Sequence, residues 1–267
     1  MGKSTPFRPG PLLLAVLAAL SAAPAIAQTS PGEFVVEHPS AIVTPEARAV
    51  LDRMKAYLNS QQSFTIQAQA SRDEMLGYGY KLQNNEWATM TVQRPNRMRV
   101  DLDGDIKKRS YFYDGTTLTM YSPDDQVYSK VAAPGTIGEV ITQLLDAGVE
   151  MPLIDVLAQA YGGTLLEDVR VGLRVGDTTI DGVVTDHLAF RQPLIDWQLW
   201  VAKNGAPKRI LITTRYTLGD PQYEVGLAWK EGGRPPASTF QFSPPEGVRE
   251  IPATRPPQAP APSAGSP

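Results

Sequence analysis

Apolar residues change their spacing three times along the chain, and each change predicts a different kind of element. Over residues 44–59, Ala47, Val50, Leu51, Met54, Tyr57 and Leu58 recur at three- and four-residue spacing, which places one apolar stripe on a helix. Thr44 is positioned to cap that helix, with Pro45 at its first turn and Glu46 beside the positive end of its dipole. From Phe64 the period falls to two: Phe64, Ile66, Ala68 and Ala70 alternate with Thr65, Gln67 and Gln69, the pattern of a half-buried strand. Further strands are expected over 77–83, 87–93, 98–102, 107–113, 117–121 and 126–131. Asn84-Asn85-Glu86, Arg94-Pro95-Asn96, Asp103-Gly104, Asp114-Gly115 and Ser122–Asp125 supply the breaks, and strands this closely spaced predict an antiparallel meander.

The middle of the chain returns to helical spacing. Thr136-Ile137-Gly138-Glu139 matches a capping box, and Ile137, Val140, Ile141, Leu144 and Leu145 make the apolar face behind it, up to Gly148. A second short helix is expected from Pro152 through Leu153, Ile154, Val156 and Leu157, ending before Gly162-Gly163. This insert is strongly apolar for its length, so it must cover a sheet or a cavity over one. Strand spacing then resumes over 167–175, 179–191, 196–202, 207–217 and 222–231, with Asn204-Gly205 as a hairpin turn and Phe240 and Phe242 in a last short strand.

These patterns give about eleven or twelve strands and three helices. A sheet of that many strands buries one face only if it curls or is capped. The fold class expected is mainly β with helices (α+β): a curved antiparallel half-barrel of about eleven strands with helices packed in its concave face. A closed lipocalin-like barrel is the alternative, although such barrels carry their main helix after the strands.

The ends change the picture of where this domain works. Lys3 and Arg8 precede an apolar run from Pro11 to Leu20, and Ala25-Ile26-Ala27 forms a small-x-small site before Gln28. Residues 1–27 are therefore expected to be a signal peptide cleaved near Ala27, which makes the protein periplasmic; the run is too short for a good membrane span of about 20 residues. Residues 28–43 read as a flexible lead, 44–247 as the half-barrel domain and 248–267 as a disordered Pro/Ala-rich tail in which six of sixteen residues from Pro252 are proline. The chain has no cysteine, so a lipobox, disulfides, thiolate metal sites and a cysteine nucleophile are excluded. Removal of Lys3 and Arg8 leaves 23 basic against 28 acidic residues, a balance that gives no reason to expect a nucleic-acid partner. No transmembrane segment is expected in the mature chain.

Candidate chemistry is thin. Gly2-Lys3-Ser4-Thr5 lacks the glycine loop that a phosphate site needs upstream. Asp101, Asp103 and Asp105 imitate the start of a calcium loop, but Gly104 comes at the fourth position and Phe112 stands where the closing glutamate belongs. Only His38 and His187 are present, so no zinc site follows, and Asp186-His187 lacks a nucleophile elbow to complete a triad. Arg94, Arg97, Arg99, Lys107, Lys108 and Arg109 concentrate positive charge around one hairpin, either as a solvated face or as a contact for an anion or lipid headgroup. What remains is the aromatic and methionine content of the strands together with an apolar insert, which suggests a shared apolar cavity. Its expected lining is Ile66, Met90, Met98, Val100, Ile141, Leu144, Leu188, Phe190, Trp197, Trp200, Tyr223, Leu227 and Trp229. Which of Trp197 and Trp200 faces inward is left open by the pattern.

Several segments in order carry a family likeness: Arg94-Pro-Asn-Arg-Met-Arg-Val100, Tyr113-Asp-Gly-Thr116, Pro152-Leu-Ile-Asp-Val156, Asp186-His-Leu-Ala-Phe-Arg191 with Asp196-Trp-Gln-Leu-Trp200, and Phe240-Gln-Phe-Ser-Pro-Pro-Glu-Gly247. The chain resembles a family of predicted periplasmic proteins of unknown function, which is similar to the outer-membrane lipoprotein carriers (LolA-like). The resemblance implies a helix-lidded half-barrel that holds acyl chains or another hydrophobic ligand, with no catalysis and no cofactor. Its expected partner is a lipid or hydrophobic ligand. An envelope protein is the partner if the same fold has a filled core and serves as an accessory module.

Overall fold

The computed structural model describes residues 42–133, 135–146, 166 and 168–253. Within them the chain forms a single open sheet. Its strands are β1 (Ile42–Val43), β2 (Ser63–Met75), β3 (Lys81–Gln93), β4 (Arg97–Gly104), β5 (Lys108–Tyr113), β6 (Thr117–Ser122), β7 (Val127–Ala132), β8 (Val171–Ile180), β9 (Val183–Arg191), β10 (Ile195–Ala202), β11 (Pro207–Thr214), β12 (Gln222–Glu231) and β13 (Arg249–Glu250). Helix α1 (Pro45–Ser60) precedes β2, and α2 (Ile137–Asp146) separates β7 from β8. The spatial order is β1-β8-β9-β10-β11-β12-β2-β3-β4-β5-β6-β7-β13, so the chain builds one half of the sheet from β2 outwards and returns through β12 to close against it. The eleven strands β2 to β12 pair antiparallel throughout, whereas the two-residue strands β1 and β13 lie parallel to β8 and β7 at the two edges. The sheet has edges, so it is not a closed barrel.

Pairing register fixes one apolar face across the sheet. Residues opposite one another in adjacent strands share a face, and the row Trp229–Ile66–Met90–Val100–Tyr111 runs unbroken from β12 to β5. A second row, Leu188–Leu199–Ile210–Val225–Ala70, carries the same face to β9. Both helices cover this face, here called the inner one. Val50, Leu51, Met54, Tyr57 and Leu58 of α1 are buried against Leu188, Phe190, Trp197, Leu199 and Val201, while Ile137, Val140, Ile141 and Leu144 of α2 are buried against the β2–β6 half.

Local chemistry sets where the helices begin and end. Thr44 Oγ1 accepts from the amide of Ala47 at the start of α1, and Pro45 needs no donor there. At the other end, Ser60 Oγ donates to the Tyr57 carbonyl and Arg94 Nη2 to that of Leu58 at 3.1 Å, which satisfies carbonyls the helix leaves open. The capping box of α2 closes in both directions: the Thr136 amide donates to Glu139 Oε2 at 2.6 Å and the Glu139 amide to Thr136 Oγ1 at 3.4 Å.

The structure departs from the sequence expectations at several places. Residues 84–86 do not break the meander: β3 runs straight through them because Asn84 and Asn85 continue the ladder with Arg72 and Ser71. Conversely, the strand expected over 179–191 is two strands, since Asp181 and Gly182 both take positive φ and turn the chain. Ile42 and Val43 belong to the sheet and not to a flexible lead, and Arg249 and Glu250 belong to it and not to the tail expected from 248. Phe240 and Phe242 form no strand. Phe240 closes a short 3-10 turn, Ala237–Phe240, and Phe242 packs on the outer face with its ring centre 5.1–5.3 Å from those of Phe112, Tyr121 and Tyr128. The segment after β12 thus straps the outer face before joining β7. The expected signal peptide, His38 and the expected helix from Pro152 lie outside the described residues.

The β10–β11 turn is pressed against α1. Gly205 has φ +100°, and a Cβ there would lie 2.7 Å from both the Arg53 carbonyl oxygen and Tyr57 Cβ. Substitution Gly205→Ala combines left-handed strain with a backbone clash, and is expected to destabilise the fold by about 2–3 kcal/mol. A urea midpoint unchanged from the parent protein would show that the helix is not seated on this turn.

Candidate functional site

Twelve of the thirteen residues expected to line an apolar site share the inner face or the helices upon it. Ile66, Met90, Met98, Val100 and Leu227 of the sheet are buried in one cluster with Ile141 and Leu144 of α2, with Tyr223 and Trp229 half-buried at its margin. Leu188, Phe190 and Trp197 are buried in a second cluster beneath α1, where the Phe190 and Trp197 rings stack 3.9 Å apart. Ile210 and Trp229 pack against both clusters and form the seam between the helices. Between Leu227 and Leu102, the row across β2 and β3 holds only Ala68 and Ala88, and Ala70 lies one row further. These three small side chains stand together in the buried cluster of that half, each 4–5% exposed.

Trp200 is the exception. It pairs with His187 and Arg209 on the outer face, where its indole stacks on the imidazole at 4.3 Å and lies 5.0 Å from the Arg209 guanidinium. Alternation explains the placement: Trp197 and Trp200 are three residues apart, so in a strand they face opposite ways. The tryptophan that faces inward is Trp197.

The same alternation separates Asp186 from His187. His187 Nε2 lies 2.8 Å from Gln198 Oε1 on the outer face, while Asp186 shares the inner side with Leu188 and Phe190. The two side chains cannot act as a dyad. Asp186 is instead the hub of an ion cluster. Its carboxylate accepts from Lys203 Nζ at 2.7 Å, from Arg174 Nε at 2.8 Å and from Arg53 of α1, and Lys203 and Arg174 also bind Asp177. Burial alone would raise the Asp186 pKa, but the three donors overcome it and hold the group at about 2. This cluster ties α1 to β8, β9 and the β10–β11 turn. Parity could have exposed it, since an aspartate in step with Leu188 and Phe190 faces an apolar layer and needs cations there.

The remaining charged motifs resolve into local pairs. Asp101 accepts from Arg99 and Ser110, Asp103 pairs with Lys108 at 3.1 Å, and Asp105 Oδ2 accepts from the Asn85 amide at 2.7 Å. Three aspartates in a row thus point to three partners, and none of them converges on a cation. Among the described residues, no group of three or more His, Asp or Glu side chains is arranged to hold a metal ion. The six cations read as one patch are spread out too: Arg99 lies over the Phe112 ring on the outer face, whereas Arg94 reaches the end of α1. The more developed depressions lie at the rims. One, of about 350 Å³, is lined by Gln61, Ser63, Gln93, Arg94 and Arg234, and the other, of about 460 Å³, by Val184, Lys203, Lys208, Trp229 and Glu231.

Residues 47–253 match a family described as predicted periplasmic protein (DUF2092). The chain belongs to that family. It is a periplasmic protein accordingly, with a mainly β fold built on one large open curved sheet. Comparison with curated proteins finds no match. Among solved structures, an uncharacterized conserved protein from Thermus thermophilus aligns over 78% of this chain and 99% of its own, with 11% identity and a TM-score of 0.46. The Mycobacterium tuberculosis lipoprotein LppX aligns over 71% of this chain and 98% of its own, with 15% identity and a TM-score of 0.45. A LolA superfamily protein from Nitrosomonas europaea aligns over 73% and 97%, with 11% identity and a TM-score of 0.32. Likeness at this level bears on neither ligand nor mechanism for the DUF2092 chain.

The depressed Asp186 pKa makes a testable statement about stability. Its folded value of about 2 lies below the ordinary 3.8, so its contribution is full above pH 4 and is lost as pH falls from there towards 2. The shift corresponds to about 2 kcal/mol at most, since the partner cations are partly solvated. Asp186→Asn is expected to lose about that much at pH 7 and to flatten the stability profile between pH 4 and 2. Urea titrations across that window check it; an unaltered acid slope would place the linkage elsewhere.

Proposed function

We propose that the protein is a non-catalytic binding protein that holds a lipid, an acyl chain or another apolar ligand over the α2-covered half of the inner face. The observation that carries this reading is the alanine floor. Ala68, Ala70 and Ala88 lie side by side on the two longest strands, bounded by Leu227 and Leu102 in one row and by Met90 and Val100 in the next. Small side chains between large ones make a trough, and an apolar trough recognises its occupant by burial, at about 0.8 kcal/mol per methylene. On the same face, Tyr223 lies towards one end of β12 with the Arg72 guanidinium 5.6 Å from its ring, a suitable place for the polar end of such a ligand. The chemistry offered is apolar contact with one polar terminus. His187, held between Trp200 and Gln198 and facing away from Asp186, supports a non-catalytic role.

A second reading has its own support. Beneath α1 the face is filled: Val50, Met54 and Leu58 are buried directly against Leu188, Phe190 and Trp197. If the α2 half is filled in the same way, the fold is an envelope accessory module that acts through a protein partner.

Ala68→Leu separates the two. In an unfilled trough the added methylenes are accommodated, so stability holds or rises while ligand occupancy falls severalfold. In a filled core the same change overpacks and costs about 1–3 kcal/mol. Native mass spectrometry of purified protein supplies the direct test. The expected result is a species heavier by an extractable lipid; protein that is ligand-free and also fails to take up a fluorescent fatty acid would refute the binding reading.

A further inference from the structure

Exposed apolar side chains gather at one end of the sheet. The β2–β3 hairpin turns through residues 76–80, the β11–β12 loop through 215–221 and the β9–β10 turn through 192–194, and all three lie at that end. They are joined to one another. The Arg215 amide donates to the Leu194 carbonyl at 2.8 Å, the Gln222 amide to Asp73 Oδ2 at 3.0 Å, and a Cβ built on Gly79 would lie 3.9 Å from Leu218 Cδ2. From this platform project Leu76, Tyr78, Tyr80, Leu194, Tyr216 and Leu218. Tyr78 is fully exposed, and Tyr216 and Leu218 are 78% and 70% exposed. The opposite end carries the polar turns Arg94-Pro95-Asn96, Asp114-Gly115-Thr116 and Lys203-Asn204-Gly205 and the β8–β9 turn, beside which Val183 and Val184 are exposed.

Two of these tyrosines are held in a conformation that side chains avoid. Tyr78 has φ 64° and Tyr216 φ 61°, in the left-handed region that glycine occupies at no steric cost. Tyr78 even stands between two glycines, so the strained position is the one that carries the ring. Backbone strain retained at exposed aromatic residues points to a contact that needs those rings in place.

Charge and shape indicate what the contact is. Arg72, Lys81, Arg191 and Arg215 at these tips stand with Asp73, Glu74, Asp196 and Asp220, and the β4–β5 and β6–β7 turns at the same end add Lys107 and Lys108 against Asp103, Asp105, Asp124 and Asp125. Lys81 is paired with Asp73 at 3.0 Å, Arg191 with Asp196 at 2.7 Å and Lys108 with Asp103 at 3.1 Å, so these cations are engaged by carboxylates and give no electrostatic pull on an anionic headgroup. Tyr78, Tyr80 and Tyr216 project with Leu76, Leu194 and Leu218 from the three tips. Tyrosine mixed with leucine is the composition of a membrane–water boundary, where amphipathic rings sit at headgroup level. We propose that the β2–β3, β9–β10 and β11–β12 tips are a docking surface for a lipid bilayer, on which the protein seats end-on by shallow insertion of Tyr78, Tyr216 and Leu218. This does not depend on a ligand over the inner face.

Flotation of the full chain with vesicles of phosphatidylethanolamine and phosphatidylglycerol tests it. Association is expected to persist from about 50 mM to about 500 mM salt, because it is apolar and not electrostatic. The pair Tyr78→Ser and Leu218→Ser should lower partitioning by ~10-fold or more, while Trp87→Ser, exposed on the outer face away from the tips, leaves it unchanged. Tyr78→Gly relieves the backbone and should raise the melting temperature while weakening partitioning, an outcome that a merely structural tyrosine would not give. Flotation that survives the double substitution, or that vanishes at high salt, overturns the proposal. So does a chain that ignores vesicles and crosslinks from position 78 to a protein, which would make the tips a protein interface.

Discussion

The structure rests on the need to cover one continuous apolar face. A sheet of eleven paired strands with alternation in register gathers every inward side chain onto the same side, from Leu188 in β9 to Tyr111 in β5. Two helices meet that need in different ways. Helix α1 lies over the half where Phe190 and Trp197 stack, whereas α2 lies over the half that holds Phe64, Tyr111 and Tyr113 together with Ala68, Ala70 and Ala88. The two clusters meet at Ile210 and Trp229, which pack against both.

Covering the face with α1 requires a fixed helix, and the Asp186 cluster fixes it. Apolar contact is non-directional, so the stripe on α1 would tolerate sliding along the sheet. A carboxylate on the sheet that binds Arg53 of the helix, Arg174 of β8 and Lys203 of the turn has direction, and it sets the helix against three elements at once. Gly205 does the complementary work by allowing the turn to approach the helix backbone. Tyr57 adds a further link: its hydroxyl donates to Glu231 Oε1 at 2.7 Å, and burial together with that bond pushes its pKa up. Position along the sheet is thus set by polar groups, and depth by apolar ones.

Much of this is legible in the residues. The stripe of α1, the capping box of α2 and the period-two runs of β2, β4 and β12 are local signals, and each lies where its spacing places it. The departures have a common cause: composition alone does not decide where turn-forming residues turn. Asn84-Asn85-Glu86 has the composition of a turn but is held extended by cross-strand neighbours, while Asp181-Gly182 turns a run that otherwise alternates. Phe240 and Phe242 alternate as strand residues do, yet the aromatic surface that receives Phe242 comes from β5, β6 and β7, far away in sequence. The inner site is legible as a list of apolar positions, and parity within a single strand removes Trp200 from it. The alanine floor is not legible, because Ala68 and Ala88 become neighbours only through the register of β2 with β3.

The surfaces of the molecule can be sorted by what already occupies them. The outer face beside β5–β7 carries the strap and Phe242. The β8 edge beyond β1 is bent by a bulge between Arg174 and Gly176 and bears the charged Arg174 and Asp177, features that discourage further strand pairing. One end of the sheet carries mainly polar turns, with Val183 and Val184 exposed beside the β8–β9 turn. The exposed side chains of the tips are then set apart from Ala68, Ala70 and Ala88, which are buried in the cluster that includes α2. Tyr223 stands between them in the fold, at the tip-ward end of β12 and three register steps from Met75. β2, β3 and β12 therefore carry both the buried alanines and two of the three exposed tips, so a substitution in these strands bears on the core and on that end together.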